Sequence, residues 1–274
     1  MTELLGGKTL LVGLGDVGMG YDLDHNSQSA SRSRERESVQ THARAITASP
    51  DMRLIGAVDL DPERRRIFES EYNLPTWSSV KAVTAVGVET AVIATSTSQH
   101  LDVALDVLKK WHPRLLICEK PFGSNAAEAA QIIEMAGDSN TMIAVNYFRP
   151  HLPAFIEIAE RLRRSNVGDL KGGSVIYSHG LRRNGCHLVD LVLWLLGECS
   201  LSEFATPTRE AGRDNYNFVL RSGEADIQFR SLGDPKVRSA EIFLGFDRGN
   251  LRMSLGGQFL EVWSDVDSSA DGKP

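Results

Sequence analysis

Residues 8–18 read KTLLVGLGDVG, and their reading decides the fold. The first six form a short apolar run ending in glycine, as expected of a strand buried on both faces of a parallel sheet. The last six, Gly13, Leu14, Gly15, Asp16, Val17 and Gly18, spell G-x-G-x-x-G, the turn that brings backbone N–H groups against a pyrophosphate at a helix N-terminus. Alone the motif is weak, so its context has to decide. A strand precedes it. An acidic residue should end the next strand roughly 20 residues later, yet Asp59, at the end of the apolar run 53–58 (RLIGAV), lies 41 residues past Gly18. The intervening stretch 21–38 (YDLDHNSQSASRSRERES) is polar and rich in Ser and Arg, unlike a packed helix. Setting its eighteen residues aside leaves 23, close to expectation, and a helix over 39–48 with Val39, Ala43, Ile46 and Thr47 on one face. The glycines are therefore read as a dinucleotide turn interrupted by an insertion over 21–38.

Asp59 then sits where a carboxylate accepts hydrogen bonds from both ribose hydroxyls and repels a 2′-phosphate, which favours NAD. Arg64 and Arg65 leave NADP possible, and the alternative role of DLDP (59–62) is a turn and N-cap. The insertion leaves from the phosphate turn. Two readings stay open for it: a flap carrying Arg32, Arg34 and Arg36 toward anionic groups, or a solvated loop.

The apolar runs continue at 90–95, 114–118 and 141–146, with a short strand near 75–77. Helix-period segments alternate with them. Residues 100–111 place Leu101, Ala104, Leu105 and Leu108 on one stripe, and 124–135 opens on Ser124 as N-cap with Ala127, Ala130, Ile133 and Ala136 spaced for one face. Strands alternating with helices predict a doubly wound parallel sheet, whose ligands bind at the strands' carboxyl ends. Thr95, Ser96, Thr97 and His100 fall at that edge, as do Asn146, Tyr147 and Arg149.

The second half has a different pattern. Amphipathic helices are expected over 152–164 (Phe155, Ile158, Ala159 and Leu162) and 187–196. Alternating segments follow at 217–220, 225–229, 240–246, 251–255 and 259–263, separated by turn residues, and they read as an antiparallel meander. The expected class is α/β: a Rossmann domain over 1–147 and an α+β domain with an open antiparallel sheet over 148–274. The tail from Asp265 is polar and expected to fray.

The 274 residues suffice for two cored domains. A net charge of −6 gives no basic field for nucleic acid or an anionic membrane surface, and no apolar run is long enough to span a bilayer. The first residues lack a secretion signal's basic and apolar regions. Three cysteines, Cys118, Cys186 and Cys199, show no paired or ligand spacing. They point to a reduced, cytoplasmic setting and no metal.

CEKP (118–121) directly follows the fifth apolar run, and here the chain resembles the Gfo/Idh/MocA oxidoreductases. The resemblance rests on GLGDVG (13–18), AVDLDPERR (57–65), VIATSTSQH (92–100), CEKPFG (118–123), VNYFRP (145–150) and GCHLVDLVLWLLG (185–197), in the family's order and over about three quarters of the chain. It implies NAD(P)-dependent hydride transfer with a sugar, nucleotide-sugar or polyol, and a homodimer or homotetramer built on the open sheet. It implies that Lys120 and His187 are catalytic, with Glu119 among the cofactor contacts. A lysine in a desolvated cleft near a cationic ring suits proton removal from an alcohol. One departure stands out: where many members carry an aspartate four residues before the histidine, this chain has Arg183. The local sequence looks more like a branch associated with surface polysaccharides and nucleotide-sugars. Arg182 and Arg183 are therefore candidates for a substrate carboxylate or phosphate, or else solvated loop residues. Asp190, three residues past His187, would orient the imidazole, bind a sugar hydroxyl or cap a helix. The departure also keeps open a dinucleotide-binding sensor without turnover.

Overall fold

The computed structural model describes residues 7–22, 39–164, 167–207, 214–234 and 236–264. Most of the expected insertion, with Arg32, Arg34 and Arg36, and the tail from Asp265 lie outside the described residues. The chain divides into two compact units, Met1–Asn146 and Tyr147–Pro274. Among the described residues no helix is long and apolar enough to cross a membrane.

In the first unit six strands, β1 (Gly7–Val12), β2 (Met52–Val58), β3 (Thr76–Trp77), β4 (Thr90–Ile93), β5 (Leu115–Cys118) and β6 (Met142–Val145), run parallel in the order β3-β2-β1-β4-β5-β6. The helices α1 (His42–Ala48), α2 (Pro62–Tyr72), α3 (His100–Trp111) and α4 (Ala126–Asp138) supply the crossovers. Leu10 and Leu11 are adjacent, both fully buried, and belong to different apolar layers. Successive strand residues point to opposite faces, so both faces of β1 are covered. The strand order reverses between β1 and β4, which opens a crevice at their carboxyl ends.

Two helix starts correct the sequence reading. The α4 N-cap is Asn125, not Ser124: Asn125 Oδ1 accepts from Glu128 N (3.0 Å), while Glu128 Oε2 accepts from Ser124 N (2.9 Å). The buried face is also corrected: Ala136 is enclosed as expected, but its partner is Ile132, while Ala127, Ala130 and Ile133 are exposed. Helix α1 starts at His42 with Thr41 as N-cap, and Val39 lies outside it, half exposed.

The junction with the glycine turn is a splice. Met19 N donates to Gly15 O (2.9 Å), and then His42 N donates to Val17 O and Ala43 N to Gly18 O, both at 3.0 Å. In an unbroken α-helix those two donors would be residues 21 and 22. The ladder therefore resumes 21 residues late, and α1 continues the helix that the glycine turn begins. Asp22 closes the base of this splice by accepting from the Thr41 hydroxyl and lying 3.7 Å from Arg44 Nη1.

The second unit packs α5 (Pro153–Arg164) and α6 (Cys186–Leu196) with a seven-stranded sheet. Its strands are β7 (Leu170–Ser178), β8 (Ser200–Pro207), β9 (Tyr216–Ser222), β10 (Ala225–Leu232), β11 (Ala240–Phe246), β12 (Gly249–Ser254) and β13 (Phe259–Ser264), in the order β13-β12-β11-β7-β10-β9-β8. The expected meander is corrected here: β7 is the central strand and pairs parallel with β10, while every other pairing is antiparallel. Gly172 and Gly173 hide β7 in the sequence. A Cβ on Gly173 would lie 2.7 Å from Leu244 Cδ2 and 2.8 Å from Phe243 O, so the strand needs glycine for close approach of its neighbour. The inner face buries Tyr177, Ile227, Phe229 and Leu244 against Leu188, Leu191 and Phe155. Phe243, Phe259 and Trp263 stay exposed.

Candidate active site

The carboxyl ends of β1, β2, β4 and β5 enclose a cleft of about 750 Å³ in the first unit. Its walls include Gly13, Gly15, Asp16, Val17, Asp59, Thr95, Ser96, Glu119 and Lys120. Each motif glycine has a separate reason. Gly13 has φ +102°, and a Cβ there would meet Ala94 C at 2.6 Å. Gly18 does not line the cleft; its absent Cβ lets the turn pass Gly13 O, which a methyl would approach to 2.1 Å. At Gly15 the nearest atom to a Cβ is Arg64 Nη1 at 3.7 Å, so its lack of a side chain leaves cleft volume for a ligand.

Asp59 braces this turn. Its Oδ2 accepts from Leu14 N (2.7 Å) and its Oδ1 from Asp61 N (2.8 Å). Each carboxylate oxygen keeps a second acceptor position for a ribose hydroxyl. Arg65 Nη1 donates to the carbonyls of Asp59 (2.7 Å) and Leu60 (3.0 Å), whereas Arg64 lines the cleft. The Thr95 hydroxyl is buried without a hydrogen-bond partner among the described residues. A bound ribose or amide would satisfy it. The glycine cradle, the acidic brace and this orphaned hydroxyl fit a dinucleotide.

Besides Gly18, two expected cofactor residues stand back from the cleft walls. Thr97 begins a 3₁₀ turn, Thr97–Gln99. His100 is buried, with Nε2 3.1 Å from Thr95 O and Nδ1 3.1 Å from Pro121 O. It ties the end of β4 to the segment after β5.

Glu119 and Lys120 follow β5, with Lys120–Pro121 in the cis form. Glu119 Oε1 receives hydrogen bonds from His42 Nε2 (2.8 Å) and Asn146 Nδ2 (2.6 Å), and Oε2 receives one from Lys120 N (3.2 Å). Burial alone pushes the Glu119 carboxyl up, but these three donors and the His42 ring outweigh it and hold the group below its ordinary value. An ionised carboxylate only accepts, so His42 carries its proton on Nε2. His42 was missed from the sequence because its partner lies 77 residues away. The signal available was its place in the crossover helix that follows the glycine turn. Cys118, just before, is inert: burial and then the Glu119 charge push its thiol up to about 12.

The second unit gathers Tyr147, Arg149, His187 and Asp190. His187 is buried at the first turn of α6, and the rings of Tyr147 and Phe148 each stand 5.6 Å from it. Arg149 lies over the Phe148 ring at 4.9 Å and donates from Nε to Gly256 O (3.4 Å). Its Nη1 is buried without a hydrogen-bond partner among the described residues, and burial holds its pKa below the ordinary arginine value. Burial also raises Asp190, against an opposing His151 charge, and raises Tyr147, with the charges of Cys186 and Asp190 adding to the effect. Arg182 and Arg183 are both exposed, on the π-type turn Leu181–Gly185. Arg182 N is held by Asp214 Oδ2 at 2.8 Å.

Residues 37–147 match the GFO_IDH_MocA model, an oxidoreductase family with an NAD-binding Rossmann fold. The chain is 21% identical over 181 residues to inositol 2-dehydrogenase of Rhizobium meliloti, covering 61% of this chain and 54% of that protein. It is 27% identical over 125 residues to trans-1,2-dihydrobenzene-1,2-diol dehydrogenase of Mus musculus, covering 45% of this chain and 37% of that protein. The matched region thus spans about half or less of those relatives. Among solved structures, WlbA dehydrogenase from Bordetella pertussis, in complex with NADH and UDP-GlcNAcA, aligns with TM-score 0.76 and 16% identity over 97% of this chain and 79% of that one. A myo-inositol dehydrogenase from Corynebacterium glutamicum aligns with TM-score 0.71 and 18% identity, over 91% and 75%. Likeness at these identities establishes the fold.

Proposed function

We propose, from the match of residues 37–147 to the Gfo/Idh/MocA oxidoreductase model, that the chain moves a hydride between NAD and a hydroxyl- or keto-bearing carbon of a sugar, nucleotide-sugar or polyol. The observation that carries this reading is that Lys120 lines the same cleft as Gly13, Gly15 and Asp59. NAD, when bound, supplies the hydride acceptor. Gly13, Gly15, Asp16 and Val17 hold its pyrophosphate, with Gly18 closing the turn behind them, Asp59 its adenosine ribose, and Thr95, Ser96 and Glu119 the nicotinamide side, with Thr97 and His100 shaping that edge. Lys120 Nζ takes the proton from the substrate hydroxyl during oxidation and returns it during reduction. His187 is assigned to assist it, and Asn146, Tyr147, Arg149, Arg182, Arg183 and Asp190 to hold the substrate. Arg65 is engaged with two carbonyls and Asp59 is acidic, so NAD is favoured over NADP.

Arg149 supports an anionic sugar more strongly than the exposed pair at 182 and 183. A half-buried guanidinium with an unsatisfied donor attracts a carboxylate or phosphate. WlbA dehydrogenase, crystallised with UDP-GlcNAcA, is a relative of that kind. The exposed Phe243, Phe259 and Trp263 favour self-association through the sheet's outer face, in a cytoplasmic protein.

The test is a fluorescence titration with NADH and NADPH, followed by an absorbance screen of inositols, uronic acids and nucleotide-sugars with NAD. Lys120→Met should lower kcat by at least about 10²-fold with NADH affinity retained. Binding without turnover of any substrate would assign the chain to a sensor role instead. Failure to bind either dinucleotide would overturn the reading altogether.

A further inference from the structure

We infer that His42 is a positioning residue for Lys120, acting through the Glu119 carboxylate from the point where the interrupted helix resumes. The inference rests on the functional reading above for its catalytic consequence and on geometry alone for the coupling.

Three observations converge on His42. Its main chain closes the splice, because His42 N donates to Val17 O of the glycine turn at 3.0 Å. Its side chain reaches the end of β5, where Nε2 donates to Glu119 Oε1 at 2.8 Å. Both side chains are only 12% exposed, so water competes poorly for either group. One residue therefore touches the phosphate turn with its backbone and the catalytic segment with its ring.

Glu119 has no slack for a substitute. Oε1 is shared by His42 and Asn146, and Oε2 accepts from the backbone N–H of Lys120 itself. The orientation of the Lys120 peptide thus depends on where the Glu119 carboxylate is held. Without His42, Oε1 keeps only Asn146 and Oε2 only the Lys120 N–H, and nothing from α1 holds the carboxylate. With His42 present, one donor from α1 and one from the residue after β6 share Oε1. The neighbours Asp22, Thr41 and Arg44 anchor the N-terminal end of α1, so the state of the splice reaches Lys120 along this chain of hydrogen bonds. His42 touches no reacting atom in this scheme; it sets the geometry of a group that does.

The experiment compares wild type with His42→Ala and His42→Gln in the full chain, the glutamine keeping an N–H donor near the position of Nε2. Hydrogen exchange is followed at residues 118–123, with β1 and β4 as internal references. Steady-state kinetics are recorded with whichever polyol or sugar the enzyme oxidises. Expected for His42→Ala are at least about tenfold faster exchange at 118–123, unchanged exchange in β1 and β4, and a kcat about 10- to 100-fold lower with KM within about threefold. His42→Gln should recover kcat to within about fivefold. Unchanged exchange at 118–123 in His42→Ala overturns the coupling. Loosened exchange with wild-type kcat, or a loss of kcat that the glutamine does not rescue, overturns the positioning role. If wild type turns over no substrate, the functional reading fails while the exchange data still decide the coupling.

Discussion

Alanine at Gly15 and alanine at Gly18 are the same chemical change three residues apart in one turn, and the structure assigns them opposite consequences. At Gly18 the added methyl would lie 2.1 Å from Gly13 O, where real Cβ contacts do not fall below 3.0 Å. The offending atom is a backbone carbonyl between β1 and the turn, so at least 0.9 Å of main chain must move, the difference between those two distances. Overpacking of that kind costs roughly 1–3 kcal/mol, which lowers Tm by about 2–12 °C at roughly 2–4 °C per kcal/mol. At Gly15 the nearest neighbour is the flexible end of Arg64 at 3.7 Å, and φ is not in the left-handed region. Folding should therefore change by less than about 0.5 kcal/mol. The methyl instead projects into the volume assigned to the pyrophosphate, so the NADH Kd should rise about 10- to 100-fold, or about 1.4–2.7 kcal/mol. Thermal unfolding and NADH fluorescence titration on both variants read the two quantities separately. Gly15→Ala binding NADH like wild type would refute the cradle, and a Gly18→Ala variant as stable as wild type would refute the close crossing.

Two further predictions concern stability. The Glu119 carboxyl is held below its ordinary value of 4.5, since its hydrogen-bond donors outweigh the opposing effect of burial. Its contribution is therefore full above that value and lost as pH falls through the folded-state pKa. The gap in urea midpoint between wild type and Glu119→Gln should accordingly narrow as pH drops from about 5 to about 3; a gap that widens over that range contradicts the sign. Lys110 Nζ donates to the carbonyls of Val80 (3.0 Å), Lys81 (3.0 Å) and Val83 (2.8 Å) at a tight turn. Charged hydrogen bonds of this kind contribute about 1.5–3 kcal/mol. Partial exposure reduces that, so Lys110→Met should cost about 1 kcal/mol in urea unfolding, and no measurable loss would show that solvent replaces the clamp.

Legibility in the sequence followed burial. The first sheet was readable because strands enclosed on both faces are continuous apolar runs, and β1, β2, β4 and β5 fall within a residue or two of the runs that announced them; β6, an edge strand with no buried residue, was announced by its apolar composition alone. The α5 face was readable for the same reason, with Phe155, Ile158 and Ala159 buried together. Where two polar groups compete for one structural role, the pattern ran out: Ser124 and Asn125 are both good caps, and only the reach of the Asn125 oxygen to Glu128 N decides between them. Strand β7 was lost because glycine lowers strand propensity at the position where the neighbouring strand needs the space. The splice shows the limit most clearly. Spacing arithmetic found an interruption of eighteen residues from composition, whereas the hydrogen-bond ladder measures 21, because Val39, Gln40 and Thr41 look like helix and serve as its approach and cap. That correction moves the first helical residue onto His42, and with it the one side chain that joins the glycine turn to Glu119. A periodicity argument ranks His42 as one polar residue among several on a short helix. Its importance comes from a partner 77 residues on, and such pairings become visible only when the strand ends are set side by side.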